Sequence, residues 1–204
     1  MNLFHIIRTV ATVTLLLMGG CRYGPARVDV PGIDAASAAA AAMGEYDADR
    51  DDNISQAECR ACPSLNGSFE LYDANRDSVL SRDEIETRLQ KMLSSGIGRM
   101  PCMIIVHAGG RPLVGARVEL VPETFLGGAL QSGSGVTNDR GIAKPVTINA
   151  PPGLPGIELG LYRVRITHDD VQIPEKYNTE TELGFELSPI ERDRDTAEFR
   201  LKLK

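Results

Sequence analysis

Twice in the first half of the chain, side chains that carry oxygen occupy alternate positions, and each run closes on a glutamate. The first run is Asp47-x-Asp49-x-Asp51-x-Asn53-x-Ser55-x-x-Glu58; the second is Asp73-x-Asn75-x-Asp77-x-Val79-x-Ser81-x-x-Glu84. A hard divalent cation takes roughly six to eight oxygens. A twelve-residue loop can wrap one with side chains at its first, third and fifth positions, a carbonyl at the seventh, a direct or water-mediated contact at the ninth and a bidentate glutamate at the twelfth. Both runs fill every one of these positions. Asn53 and Val79 would ligate through the main chain, and Ser55 and Ser81 through water. The charge is distributed accordingly: Asp34 to Arg99 holds 13 acidic and 7 basic residues, whereas Met100 to Lys204 holds 14 and 12. The whole net charge of −6 can therefore be assigned to the segment with the two runs.

The flanks follow the same plan. Phe69 and Tyr72 stand four and one residues before the second run, and Met43 and Tyr46 precede the first closely; Ile85 and Leu89 follow Glu84 on one helical face. The eighth positions are Ile54 and Leu80. Ala35 to Ala42 has high helix propensity, with Asp34 as N-cap. Loops and flanks together resemble the EF-hand, and the 26 positions between Asp47 and Asp73 make a compact pair over residues 34–99, with Pro63 and Gly67 marking the turn between its middle helices. The resemblance implies calcium as the ligand and a short β-contact between Ile54 and Leu80. Its sixth position is normally glycine, because the chain turns there at positive φ, but Asp52 and Ser78 occupy it here. That departure, together with Asn75 in place of a third acid, predicts weak sites of roughly 10⁻⁴ to 10⁻³ M, the second weaker than the first. Magnesium, which retains its water, is a poor competitor.

Residues 1–20 read as an export signal: Arg8 gives a positive start, Thr9 to Met18 a short apolar core, and Gly19-Gly20 small residues before Cys21. Leu17-Met18-Gly19-Gly20-Cys21 resembles the lipobox of bacterial lipoproteins, which implies lipidation of Cys21 and a membrane anchor rather than a span. Met18 departs from the usual Leu, Val or Ile. Residues 21–33, with Pro25, Pro31, Gly24 and Gly32, read as a tether. Arg22 carries no acidic retention signal, which favours the outer membrane over the inner. Export leaves Cys59, Cys62 and Cys102 in an oxidising compartment. Cys59-Arg60-Ala61-Cys62 lacks the second pair of a zinc ribbon and the strand-to-helix setting of a thioredoxin site. Small buried hydrophobes, or a local bridge, are the expectation there; Cys102 could instead clamp to one of them.

From Cys102 onward the apolar period becomes two. Ala116-Val118-Leu120, Tyr162-Val164-Ile166, Leu183-Phe185-Leu187 and Ala197-Phe199-Leu201-Leu203 alternate with polar residues, and Met103 to Val106 is a continuous run suited to a central strand. Shorter strands are expected around Asn138-Asp139-Arg140-Gly141. The series Gly110 to Leu120, Gly135 to Gly141, Gly160 to Val164 and Ile173 to Asn178 resembles carboxypeptidase regulatory-like, transthyretin-like domains of exported lipoproteins. The predicted fold is thus α + β in separate domains: a helical EF-hand pair, then an antiparallel seven-stranded Greek-key β-sandwich over residues 101–204.

The acidic balance and the lack of a basic patch exclude nucleic acid as a partner. His107 and His168 have no third ligand or nucleophile at a readable spacing, and no nucleophile elbow or phosphate loop is present, so no enzyme is expected. The reading is a calcium-binding, lipid-anchored protein of the cell envelope with a structural or binding role. The alternative is a metal-independent adhesion or assembly module whose β-sandwich holds a glycan or an envelope protein.

Overall fold

The computed structural model describes residues 28–148, 150, 154–191 and 195–203. The export signal and Cys21 lie outside the described residues. Helical elements come first: α1 (Ala35–Tyr46), α2 (Pro63–Gly67), α3 (Phe69–Tyr72) and α4 (Arg82–Leu93), with β1 (Asn53–Ser55) and β2 (Val79–Ser81) between them. Asp34 caps α1 by accepting from the Ser37 amide at 2.7 Å. The alanines of α1 pack tightly, with Ala38, Ala39 and Ala42 buried. Pro63 and Gly67 do not form a turn: proline at the first helical position pre-sets φ and starts α2, and Gly67 ends it.

The strands are β3 (Arg99–Met100), β4 (Met103–Ala108), β5 (Arg111–Pro112), β6 (Arg117–Pro122), β7 (Gly133–Val136), β8 (Ile142–Ala143), β9 (Val146–Thr147), β10 (Ile157–Glu158), β11 (Gly160–Thr167), β12 (Gly184–Leu187) and β13 (Thr196–Leu201). They form a five-stranded sheet in the order β12-β11-β6-β7-β9, a four-stranded sheet in which β4 is flanked by β13, β5 and β8, and a small ladder of β3 with β10. The α-then-β order is as expected, and so is the central place of Met103 to Val106. Two features differ. The strands divide among several sheets, and β13 runs parallel to β4, with Thr196 against Met103 and Leu201 against Ala108. Alternating side chains read the same in both directions, and strands 90 or so residues apart have no hairpin to fix their sense, so direction was not encoded in the pattern.

The two halves also share a closed interface. α2 lies on β12 backbone to backbone: a side chain at Gly184 would collide with the main chain of Pro63 and Ser64, and one at Gly67 with the carbonyl of Gly184. Buried apolar residues from Ile33 to Leu201 form one contiguous cluster. The end of the expected tether joins it, since Pro31 and Ile33 are buried and residues 28–29 run against Gly98.

Candidate metal centre

The two acidic runs fold into loops with the same hydrogen-bond frame. Position one gathers amides from across its loop. Asp47 accepts from Arg50 (2.7 Å), Asp51 (3.2 Å) and Asp52 (3.1 Å), and Asp73 accepts from Asp77 (3.1 Å) and Ser78 (3.0 Å). Positions three and five each accept from the amide two residues on: Asp49 from Asp51, Asp51 from Asn53, Asn75 from Asp77 and Asp77 from Val79. These local turns hold the side-chain oxygens on one side of the backbone.

The closing glutamates are fixed at both oxygens. Glu58 accepts from the Ala48 amide (2.8 Å) on one and from the Ser55 amide and hydroxyl (2.8 and 2.7 Å) on the other. Glu84 repeats this with Ala74 (3.1 Å) and Ser81 (2.9 and 2.7 Å). Ser55 and Ser81 thus each clasp the closing glutamate of their own loop. Ser81 and Glu84 form a reciprocal capping box that starts α4. The Ser-x-x-Glu spacing carried that signal.

Turning the chain this tightly requires positive φ at four places, Arg50 (62°), Asp52 (66°), Arg76 (62°) and Ser78 (71°). The expected turn at the sixth position is present, and the fourth position adds a second that the glycine argument did not anticipate. β1 and β2 then pair antiparallel with Ile54 opposite Leu80, both fully buried, so the loops are held side by side.

The loops differ in what they bring together. Ligand oxygens of Asp47, Asp49 and Glu58 lie within 4.8 Å of one another. Calcium–oxygen bonds are roughly 2.3–2.6 Å, so two oxygens on one ion are at most about 5 Å apart, and all three carboxylates can reach the same cation. Asp51 and Asn53 line the same loop but stand outside that triplet. In the second loop Asp73, Asp77 and Glu84 do not form such a group among the described residues. There the Asn75 amide donates to Asp77 at 2.8 Å, which occupies one of the three carboxylates that a cation would need.

Electrostatics separates the members of the first triplet. The Ser55 hydroxyl and the Ser55 and Ala48 amides hold the Glu58 carboxyl down to about 2. Asp49 moves the other way, raised by partial loss of hydration and by the charges of Asp51, Glu58 and Asp47. A cation at their centre would remove that mutual repulsion.

Behind each loop an aromatic ring touches a buried ion pair that reaches into the sheet. Tyr46, next to Asp47, has its hydroxyl 3.2 Å from Arg163 of β11, which pairs with buried Glu123 at 2.6 Å; the Ser64 amide donates to the other oxygen of Glu123. Tyr72, next to Asp73, lies under the Arg88 guanidinium at 5.9 Å, and Arg88 grips Glu186 (2.6 Å) and Glu191 (2.6 Å). Glu186 was expected on a solvent face by strand alternation; it is fully buried because α2 covers that face and Arg88 reaches it from α4, and the Glu186 amide donates to the Ser68 hydroxyl at 3.2 Å. Sequence reasoning missed Glu123, Arg163, Arg88 and Glu186, whose partners lie 40 to 98 residues apart.

The three thiols are buried and unbridged, and burial pushes each of them up to about 12. His168 is oriented structurally, with Nε2 2.8 Å from the Val114 carbonyl and Nδ1 accepting from the amides of Asp170 and Val171. No helix among the described residues is long and apolar enough to cross a membrane. No protein-family model matches the chain, and neither curated proteins nor solved structures yield a match.

Proposed function

We propose that the chain is an exported, calcium-binding protein of the bacterial cell envelope, anchored through a lipidated Cys21, with a non-catalytic structural or binding role. One observation carries the metal reading: the oxygens of Asp47, Asp49 and Glu58 fit inside a single calcium shell. The paired loops are read as an EF-hand pair, and the β-half as a transthyretin-like sandwich built from the five- and four-stranded sheets. In this reading Asp47, Asp49, Asp51, Asn53, Ser55 and Glu58 hold the first ion, and Asp73, Asn75, Asp77, Val79, Ser81 and Glu84 the second. Bound calcium supplies positive charge. The chain's own residues hold the carboxylates on one side of each loop and transmit the loop's position to the sheet through the Tyr46–Arg163–Glu123 and Tyr72–Arg88–Glu186 contacts.

The interface favours a structural over a sensing role. A calcium sensor opens an apolar groove for a partner, whereas here α2 is packed against β12 without intervening side chains and the apolar residues of both halves form one cluster. Calcium binding then stabilises the existing arrangement by mass action.

The test is a calcium titration of the full chain in detergent by calorimetry and tyrosine fluorescence, since Trp is absent and Tyr46 and Tyr72 adjoin the loops. Saturable binding that disappears in the Glu58→Gln, Glu84→Gln double variant is expected. Absence of binding at about 10⁻² M calcium, above the weakest range of such loops, would overturn the reading and leave the β-half as a metal-independent adhesion module.

A further inference from the structure

A polar cleft opens on the side of the molecule where the helical half meets β11. Its volume is about 220 Å³, below the roughly 300–1,000 Å³ of sites for drug-sized ligands, so it admits a group of about one sugar ring. Three arginines line it. Arg60 comes from the 3-10 turn Glu58–Ala61 directly after the first loop, and Arg163 and Arg165 alternate along the same face of β11. Across the cleft, Glu180 and Glu182 line the segment that leads into β12.

The charges are unevenly satisfied. Arg163 is matched by Glu123. Arg60 and Arg165 make no ion pair among the described residues, and the Arg165 Nε is buried with no hydrogen-bond acceptor. Glu119 stands opposite Arg165 in the β6–β11 register, yet it does not close the pair. A buried donor without an acceptor is a standing cost, and because that Nε is closed to solvent, an arriving ligand meets Arg165 through the terminal Nη groups of the side chain that lines the cleft. A guanidinium fork fits the two oxygens of a carboxylate better than any neutral group. Glu180 and Glu182, without an ion pair among the described residues, add the opposite requirement, because an anion alone would face them as a like charge.

From this cleft we infer a binding site for a small ligand whose carboxylate lies between Arg60 and Arg165 and whose adjoining hydroxyl or ammonium donors face Glu180 and Glu182. An acidic sugar residue and a dipeptide with its free ammonium and carboxylate both carry that chemistry. The inference does not depend on calcium.

The experiment is a ¹H–¹⁵N titration of the full chain in detergent with galacturonate, alanylalanine and, as the neutral control, galactose. Dissociation constants of order millimolar are expected for a carboxylate probe, with shifts at residues 60–63, 163–165 and 179–182. Arg60 is exposed, so Arg60→Met preserves the fold; it should weaken binding about tenfold. Arg165→Lys, which keeps the charge but loses the fork, should weaken it several-fold less. Preference for galacturonate would identify the sugar source, and preference for alanylalanine the dipeptide. Equal binding of galactose, binding unaffected by Arg60→Met, or no localised shifts with any probe up to about 10⁻² M, above that millimolar range, would overturn the site.

Discussion

The first and second loops have the same hydrogen-bond frame but different charge, and the comparison separates two things that a twelve-residue pattern encodes together. The frame is local: amides two to five residues onward and the capping serines set it, and it appears in both loops with nearly equal distances. Convergence of carboxylates is a matter of composition. With acids at the first, third and fifth positions, the first loop brings three ligand groups within 4.8 Å. With Asn75 at the third position, the second spends a donor on Asp77. The loops also differ in their anchors. Arg88 behind the second is 7% exposed and grips two glutamates, whereas Arg163 behind the first is 29% exposed and grips one.

The largest effect should come from breaking that difference at the anchors. Arg88→Met leaves Glu186, 0% exposed, without its counter-charge, and should cost about 3–5 kcal/mol in urea unfolding. Arg163→Met leaves Glu123, also 0% exposed, with the Ser64 amide as its remaining donor, and should cost less, about 1–3 kcal/mol. Equal losses would mean that burial does not distinguish the anchors.

Next in size are the ligand variants, read by calorimetry. On the proposed reading, Glu58→Gln should weaken calcium binding at the first loop by more than about tenfold, and Glu84→Gln should affect only the second. Asn75→Asp sharpens the same point, since it supplies the missing acid and should bring the second loop toward the first.

Smaller effects belong to the shared frame. Ser81→Ala removes the α4 cap and should cost about 1 kcal/mol in thermal unfolding without calcium. Ser78→Gly relieves a side chain held at φ 71° and should raise stability by up to about 1 kcal/mol. The alanine change should lower the melting temperature and the glycine change raise it.

The pH dependence tests the interior that both loops share. Burial raises the thiols of Cys59, Cys62 and Cys102 from 9.0 to about 12, so the folded chain keeps protons that the unfolded chain releases earlier. Their contribution to stability is complete below about pH 9 and declines as pH rises from there toward 12. Urea midpoints should stay level from pH 8 to about 9 and fall from there to pH 11, and iodoacetamide labelling of the folded chain should be slow at pH 8. Fast labelling of Cys59 or Cys62 would mean that the thiols are exposed.

Much of this was legible in the sequence because the deciding interactions are local. Alternating oxygens produce turns whose hydrogen bonds span two to five residues; Asp34 caps α1 by accepting from the amide three residues on; Ile54 and Leu80 meet because each holds the eighth position of its loop. Strand existence was legible for a similar reason, since period two specifies a half-buried face. Tyr162-Val164-Ile166 is buried as that period requires.

What only the tertiary structure decided are the pairings between distant segments. Nothing in the alternation of Gly184-Phe185-Glu186 distinguishes an outward glutamate from one buried beneath a helix, and the answer depends on α2 lying over β12 and on Arg88 reaching Glu186 from α4. Gly67 and Gly184 read as a turn residue and a weak strand residue until their backbones are seen in contact. The direction of β13 and the partners of Arg88 and Arg163 belong with them. The sequence by itself determined the loops, their caps and the faces of the strands, because those interactions close within a few residues. The union of the two halves was left to the fold, because a buried charge or a bare backbone declares its partner only once the chain has brought that partner near.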